Sequence, residues 1–164
     1  MPVSKEKKGE IYARLTEIAK GEGSRVFVNF HGLSVKEITD LRRALRSAGV
    51  GYMVAKKTLV RKAFTERGYS GEMPELPGET AVVYGEDAIA PAREVYKFQK
   101  TYKDKVSISG GVFEGKFEGK EKMLVVASIP SREVLYAQFL NLINSPIQRF
   151  AMVVDQIAQK KETV

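Results

Sequence analysis

GLSVKEITDLRRALRSAGVGYMVAKKTLVRKA, residues 32–63, reads as helix, tight turn, strand and helix, an alternation that much of the chain continues. Ser34 stands where it can cap the first helix, and Glu37, three residues on, completes a capping box. Val35, Ile38, Leu41 and Leu45 recur at helical spacing and define one apolar face. Arg42, Arg43 and Arg46 fall off that face. Gly49 ends the helix by accepting the left-handed conformation that other residues resist. Val50, Tyr52 and Val54 alternate as a strand does, and Met53 and Ala55 are apolar enough for both faces to be covered. Leu59, Val60, Ala63 and Phe64 then return to helical spacing.

Lys56-Lys57-Thr58 stands where the second helix starts. A helix start is already positive, so Asp, Glu, Ser or Thr is the usual choice, and two lysines there cost about a few tenths of a kcal/mol. An incoming phosphate would offset that cost, because free N–H groups at a helix start bind anions. The alternative is a solvated lysine pair with the helix beginning a residue or two later.

The 164 residues, 43% hydrophobic, suffice for one ordinary domain with or without an appendage. The absence of cysteine excludes disulfides, thiolate metal sites and a cysteine nucleophile. The single histidine, His31, cannot form a metal site alone, and no serine–acid or carboxylate pattern near it suggests catalysis. It reads either as loop filler or as a contact to phosphate or base. The glycines of VSISGGVFEGKFEG do not follow GxGxxG and do not join a strand to a helix, and no phosphate-loop motif occurs. No cofactor and no metal site is expected. No apolar run approaches the roughly 20 residues of a membrane span, and MPVSKEKKGE is too polar for a signal peptide. A cytoplasmic protein without a membrane partner is expected.

The net charge is +7 and unevenly spread. Residues 1–67 carry 15 Lys and Arg against 7 Asp and Glu, whereas residues 68–164 carry 12 against 13. The whole excess lies in and around residues 32–63. That asymmetry points to a polyanion partner, most often nucleic acid.

In order, residues 4–20 read as a helix with the stripe Ile11, Leu15, Ile18 and Ala19. Residues 25–30 (RVFVNF) read as a strand, residues 68–79 as a Gly/Pro/acid loop, and residues 80–84 (TAVVY) as a strand. Asp87 is the expected cap of a helix that tolerates Pro91 in its first turn. Residues 106–113 form a strand, followed by a turn and short strand to Gly119. The apolar run within residues 120–129 fits helix or buried strand, and we assign it to a short helix ended by Pro130. A helix from Ser131 carries Val134, Leu135, Phe139, Leu142 and Ile143, and Ser145-Pro146-Ile147-Gln148 reads as a restart with a second capping box.

From that restart, Ile147, Phe150, Val154, Ile157 and Lys161 step by 3, 4, 3 and 4, a seam widened by Ala151, Val153 and Ala158. An isolated helix of this length is marginal in water. Burying Ile147, Phe150, Val154 and Ile157 is worth about 6–12 kcal/mol at ~1.5–3 each, so something must cover them. Either the helix folds back on its own domain or it binds other helices.

Taken together, these motifs resemble the bacterial ribosomal stalk-base protein family, the tenth protein of the large subunit. The likeness stands on Gly32-Leu33-Ser34-Val35, Glu37, Leu41-Arg42, Leu45-Arg46, Ala48-Gly49, Tyr52 and Val54-Ala55-Lys56-Lys57-Thr58-Leu59. It extends over essentially the whole chain, through the Ile129-Pro130 break and the terminal helix. It departs at Lys57, where the family usually has asparagine. The resemblance implies an α/β fold, a two-layer α/β plait with a mixed sheet flanked by helices, and a C-terminal helical spine. Residues 1–130 would be the globular rRNA-binding domain and residues 131–164 the C-terminal helices, with residues 146–160 as the spine.

The resemblance further implies a structural protein at the base of the large-subunit stalk. It would bind large-subunit rRNA beside the eleventh large-subunit protein. Its spine would hold dimers of the acidic twelfth protein, two for this chain, which recruit translation GTPases. It would also bind its own mRNA as a translational repressor. On this reading Lys5, Lys7, Lys8, His31, Arg42, Arg43, Arg46, Lys56, Lys57, Thr58, Arg61 and Lys62 are the rRNA contacts. Ile147, Phe150, Ala151, Val153, Val154, Ile157 and Ala158 are the dimer contacts. An enzyme is not expected. The rival reading is a free-standing RNA-binding regulator that self-associates through its C-terminal helix.

Overall fold

The computed structural model describes residues 5–21, 23–102 and 105–162. The chain divides into two units, Met1–Ile129 and Pro130–Val164. The first runs α1 (Lys5–Lys20), β1 (Arg25–Phe30), α2 (Val35–Ser47), β2 (Gly51–Val54), α3 (Lys57–Arg67), β3 (Thr80–Tyr84), α4 (Ala90–Thr101), β4 (Val106–Phe113), β5 (Lys116–Gly119) and α5 (Lys120–Ser128). The second contains α6 (Arg132–Glu162). Ser4, the expected start of α1, lies outside the described residues.

The five strands form one open sheet in the order β2-β3-β1-β4-β5. The α/β class is as the sequence implies, but the sheet is antiparallel rather than mixed. Strands β1 and β2 run the same way, yet β3 inserts between them in the opposite sense, so no parallel pair forms. The one parallel contact among the described residues is an isolated bridge between Ser70 and Lys116. The β4–β5 hairpin turns through Glu114 and Gly115, both at positive φ (50° and 76°), the geometry that matches strand twist in a two-residue loop.

Helices cover both faces of the sheet, making three layers where two were expected. The reason lies in β1 and β3, whose side chains are apolar at consecutive positions rather than at every second one. Val26, Val28 and Val83 face one way and pack under Leu41 and Leu45 of α2, Val95 of α4 and Met123 of α5. Phe27 and Val82 face the other way, under Leu15 of α1 and Val60 and Phe64 of α3. Strand β4 serves both cores because it carries an irregularity: Phe27 pairs with Gly110 but Val28 with Ile108, leaving Ser109 as an extra residue. The extra residue reverses the alternation, so Ile108 faces the first core and Val112 the second. A Cβ on Gly111 would lie 2.4 Å from the Arg25 carbonyl oxygen, so that close strand approach requires glycine.

Helix α2 has the ends its sequence predicts. The Ser34 N–H donates to Glu37 Oε2 (2.6 Å) and the Ser34 hydroxyl accepts from the Glu37 N–H (3.3 Å). At the other end Gly49 adopts φ 70°, its N–H donates to the Arg46 carbonyl (3.1 Å), and the Val50 N–H donates to the Leu45 carbonyl (2.9 Å). These are the two bonds of a Schellman motif, with Val50 and Leu45 as its apolar contact. Val35, however, is 82% exposed and does not join the apolar face. It lies six residues before Leu41, a rotation of about 120° at ~100° per residue. Val54 is also exposed, because it ends the edge strand. At the end of α1, the buried guanidinium of Arg25 donates to the carbonyls of Ile18 (2.9 Å), Gly23 (2.7 Å) and Gly21. It thereby satisfies acceptors that the helix leaves without donors.

Two local expectations change. The N-cap of α4 is Ile89, and Asp87 instead accepts from the Ile89 N–H (2.9 Å), shaping the turn before the helix. In the second unit α6 runs unbroken through Pro146. The restart expected at Ser145 does not occur, and neither it nor Gln148 is needed as a cap. A cap is required only where a first turn has no carbonyls behind it, and here a helical turn precedes Pro146. The proline removes one N–H from a ladder of 31 residues, and the helix continues past it.

Phe64 is fully buried and meets Phe27 edge-to-face, ring centres 5.0 Å apart. Phe64→Ala is expected to destabilise the first unit by about 3–5 kcal/mol. Urea unfolding followed by circular dichroism measures this; a loss under about 1 kcal/mol would contradict the packing described.

Candidate nucleic-acid interface and docking helix

Helix α3 begins where the lysines stand. Lys56 is its N-cap in extended conformation (φ −64°, ψ 131°), with no side-chain hydrogen bond to the first turn and no acid within that turn. The Leu59 and Val60 N–H groups both bond the Lys56 carbonyl (2.9 and 3.1 Å). Those of Lys57 and Thr58 have no carbonyl behind them in the helix. Lys56, Lys57, Thr58 and Arg61 are exposed, and among the described residues no carboxylate pairs with any of the three cations. The positive helix end and two ammonium groups therefore reinforce one another instead of being neutralised.

Sheet topology gathers other expected residues at the same end. Strands β1 and β2 both end there, and β3 and β4 both begin there. His31 follows β1, exposed, with its backbone N–H on the Lys105 carbonyl (2.9 Å). Ile11 of α1 lines a cleft of about 660 Å³ together with Phe30, Lys56, Lys57 and Thr58. Lys7 and Lys8 are on α1 about one turn before Ile11. Lys5 opens α1, and its side chain lies outside the described residues. Lys62, on α3, is already engaged: its ammonium lies 5.3 Å from the Tyr12 ring centre and 3.8 Å from Glu66, which also accepts from the Tyr12 hydroxyl.

The α2 arginines are not part of this gathering. Helix α2 packs on the opposite face of the sheet from α1 and α3. Arg43 and Arg46 are exposed there, toward the helix end where Gly49 lines a separate cavity with Gly21 and Arg25. Arg42 lies over the Tyr52 ring at 5.4 Å, at the sheet's β2 edge. Sequence spacing cannot show this division, because it depends on which face each crossover helix covers. What the sequence reading missed is the cleft itself, with Phe30 and Thr80 in its wall.

In the second unit Ile147, Phe150, Ala151, Val153, Val154, Ile157 and Ala158 are all exposed on α6. Leu135, Phe139 and Ile143, upstream of Pro146, are exposed as well. From Leu135 through Phe139, Ile143, Ile147, Phe150, Val154 and Ile157 the steps are 4, 4, 4, 3, 4 and 3, which keeps all seven on one stripe. The stripe begins about three turns earlier than the sequence reading placed it, because the helix is continuous.

A family model described as Ribosomal protein L10 matches residues 3–100, and one described as the ribosomal protein uL10 C-terminal region matches residues 129–164. The large ribosomal subunit protein uL10 of Alkaliphilus metalliredigens is 40% identical over 157 residues, covering 95% of this chain and 94% of the relative. Its counterpart in Clostridioides difficile is 39% identical over 157 residues (94% and 93%). That in Shouchella clausii is 37% identical over 158 residues (96% and 95%). The fold and these likenesses define a structural protein of the large ribosomal subunit, not an enzyme. The chain belongs to the ribosomal protein L10 (uL10) family. Membership places it in the cytoplasm, within the ribosome, among ribosomal RNA and other ribosomal proteins. Among the described residues no helix is long and apolar enough to cross a membrane.

Beside His31, Lys105 Nζ donates to Glu37 Oε1 (2.6 Å) and ties α2 to the start of β4. This bond, and the backbone bond from Ser34, hold the Glu37 carboxyl down to about 2 from 4.5. Folding lowers this pKa, so ionised Glu37 stabilises the fold above pH ~4.5, and the contribution fades as pH falls toward about 2. Urea midpoints of the native chain and Glu37→Gln should therefore differ at about pH 6, and the difference should shrink steadily as pH falls from about 4.5 toward 2. A gap that stays constant across that range would remove the carboxylate from the account.

Proposed function

We propose that the chain forms the base of the large-subunit stalk, with residues 1–130 binding large-subunit rRNA and residues 131–164 carrying the stalk dimers. The observation that carries the RNA half is the uncapped, acid-free start of α3, flanked by Lys56, Lys57 and Arg61. Charge of one sign concentrated at a helix start is an electrostatic footprint for a phosphate backbone. Lys7, Lys8 and His31 add to it at the same end of the sheet, and Lys5 and Lys62 extend the same set. Arg42, Arg43 and Arg46, on the other face of the sheet, contact a separate stretch of the RNA. The resemblance adds repression through the chain's own mRNA, which would present the same phosphate geometry to the same helix start.

Lys57 separates stability from binding. Lys57→Glu places an acid against the positive helix end and should stabilise the free protein by about 0.3–1 kcal/mol. It should also weaken binding to a large-subunit rRNA transcript and make the log–log salt dependence shallower by about 1. Filter binding at several salt concentrations, beside thermal melts, reads both. Loss of stability with unchanged binding would rule the helix start out as a phosphate contact.

For the second half, the exposed stripe of α6 supports helix-on-helix docking. Dimers of the acidic stalk protein cover Ile147, Phe150, Ala151, Val153, Val154, Ile157 and Ala158 within residues 146–160, two dimers per chain, and through them translation GTPases are recruited. Co-expression with the acidic protein followed by native mass spectrometry should yield one chain with two dimers. Truncation after Ser145 should abolish or reduce that complex. Three dimers would overturn the count. A chain that ignores the partner and pairs with itself would overturn the stalk reading in favour of a self-associating RNA-binding regulator.

A further inference from the structure

We propose that the cleft at the start of α3 seats a single unstacked nucleotide, its phosphate on the helix end and its base inside; this rests on the rRNA reading above and names what that site takes. The cleft, about 660 Å³, is larger than a phosphate needs, and its wall is not that of a simple anion site. Ile11, Phe30, Val54 and Ala55 supply apolar surface, and Phe30 offers an aromatic ring for a base to stack against. Glu79 is the one carboxylate in the wall. It repels phosphate but accepts from the exocyclic amines and ring N–H groups of bases.

An independent observation comes from the floor. Thr80, also in the wall, is 4% exposed, and its hydroxyl oxygen is buried with no hydrogen-bond partner. It alternates with Val82 on β3, so it faces the α1 and α3 side of the sheet. Asn29, directly across in register, has a buried Oδ1 that is likewise unpartnered. The Thr80 hydroxyl, which both donates and accepts, matches a base edge bearing an N–H or a C=O group. Leaving such groups unpaired is costly. A base inside the cleft would satisfy at least the hydroxyl, whereas a phosphate at the helix end would satisfy neither. A stacked duplex cannot insert a base there, so the RNA must present an unpaired or extruded nucleotide.

The test uses the full chain and a bacterial large-subunit rRNA transcript, with filter binding in varied salt and chemical probing of base edges. Thr80→Val keeps the shape and removes the hydroxyl. It should leave the melting temperature unchanged or higher, weaken binding by about tenfold, and leave the salt slope alone. Phe30→Leu should weaken binding by roughly tenfold through lost stacking. In both variants one nucleotide protected by the native chain should regain reactivity. Wild-type affinity and an unchanged footprint in both variants, with Lys57→Gln still weakening binding, would show an anion site only and overturn the proposal while sparing the rRNA reading. A native chain that does not bind the transcript would remove both.

Discussion

The burial of β1 on both faces is the constraint from which the first unit follows. RVFVNF places Val26 and Val28 on one side and Phe27 on the other, and every one of these is buried. A strand with two apolar faces cannot lie at a sheet edge or against solvent. It takes the centre, between β3 and β4, and demands helices on both sides. The helices supply those covers, α1 and α3 on one face, α2, α4 and α5 on the other. The extra residue at Ser109 lets β4 contribute to both cores without a change of composition.

This architecture also arranges charge. Because β1 and β2 end together while β3 and β4 start beside them, the loops and helix starts at that end converge. The positive start of α3, His31 and the cleft wall are brought together there, and α1 extends the set. Burying Val60, Ala63 and Phe64 holds α3 in place so firmly that its first turn need not be capped. Tertiary packing, worth several kcal/mol, outweighs a mismatch of about a few tenths. The mismatch can then be retained without loss of the fold.

Helix α6 obeys a different balance. Within its unit seven large apolar side chains, Leu135 to Ile157, are exposed along one stripe, and others such as Val134 and Met152 are exposed off it. A helix of this kind gains little from burial by itself and depends on what docks against it. Its continuity through Pro146 keeps the residues before and after the proline in phase.

Much was legible in residue order alone. The capping box at Ser34 and Glu37, the Gly49 stop, every strand and the helix over residues 120–128 follow from spacing and local chemistry that act within one turn or one strand. The family signature within residues 32–63 is equally local. What the tertiary structure decided is non-local. The third layer, the antiparallel order, the exposure of Val35, and the separation of Arg43 and Arg46 from Lys56 and Lys57 depend on which face each crossover covers and on β3 entering between β1 and β2. The cleft with Thr80 and Phe30 belongs to the same class, since its walls come from segments far apart in sequence. Periodicity reports the phase of a side chain on its own element; only packing fixes where that element lies and what its side chains meet.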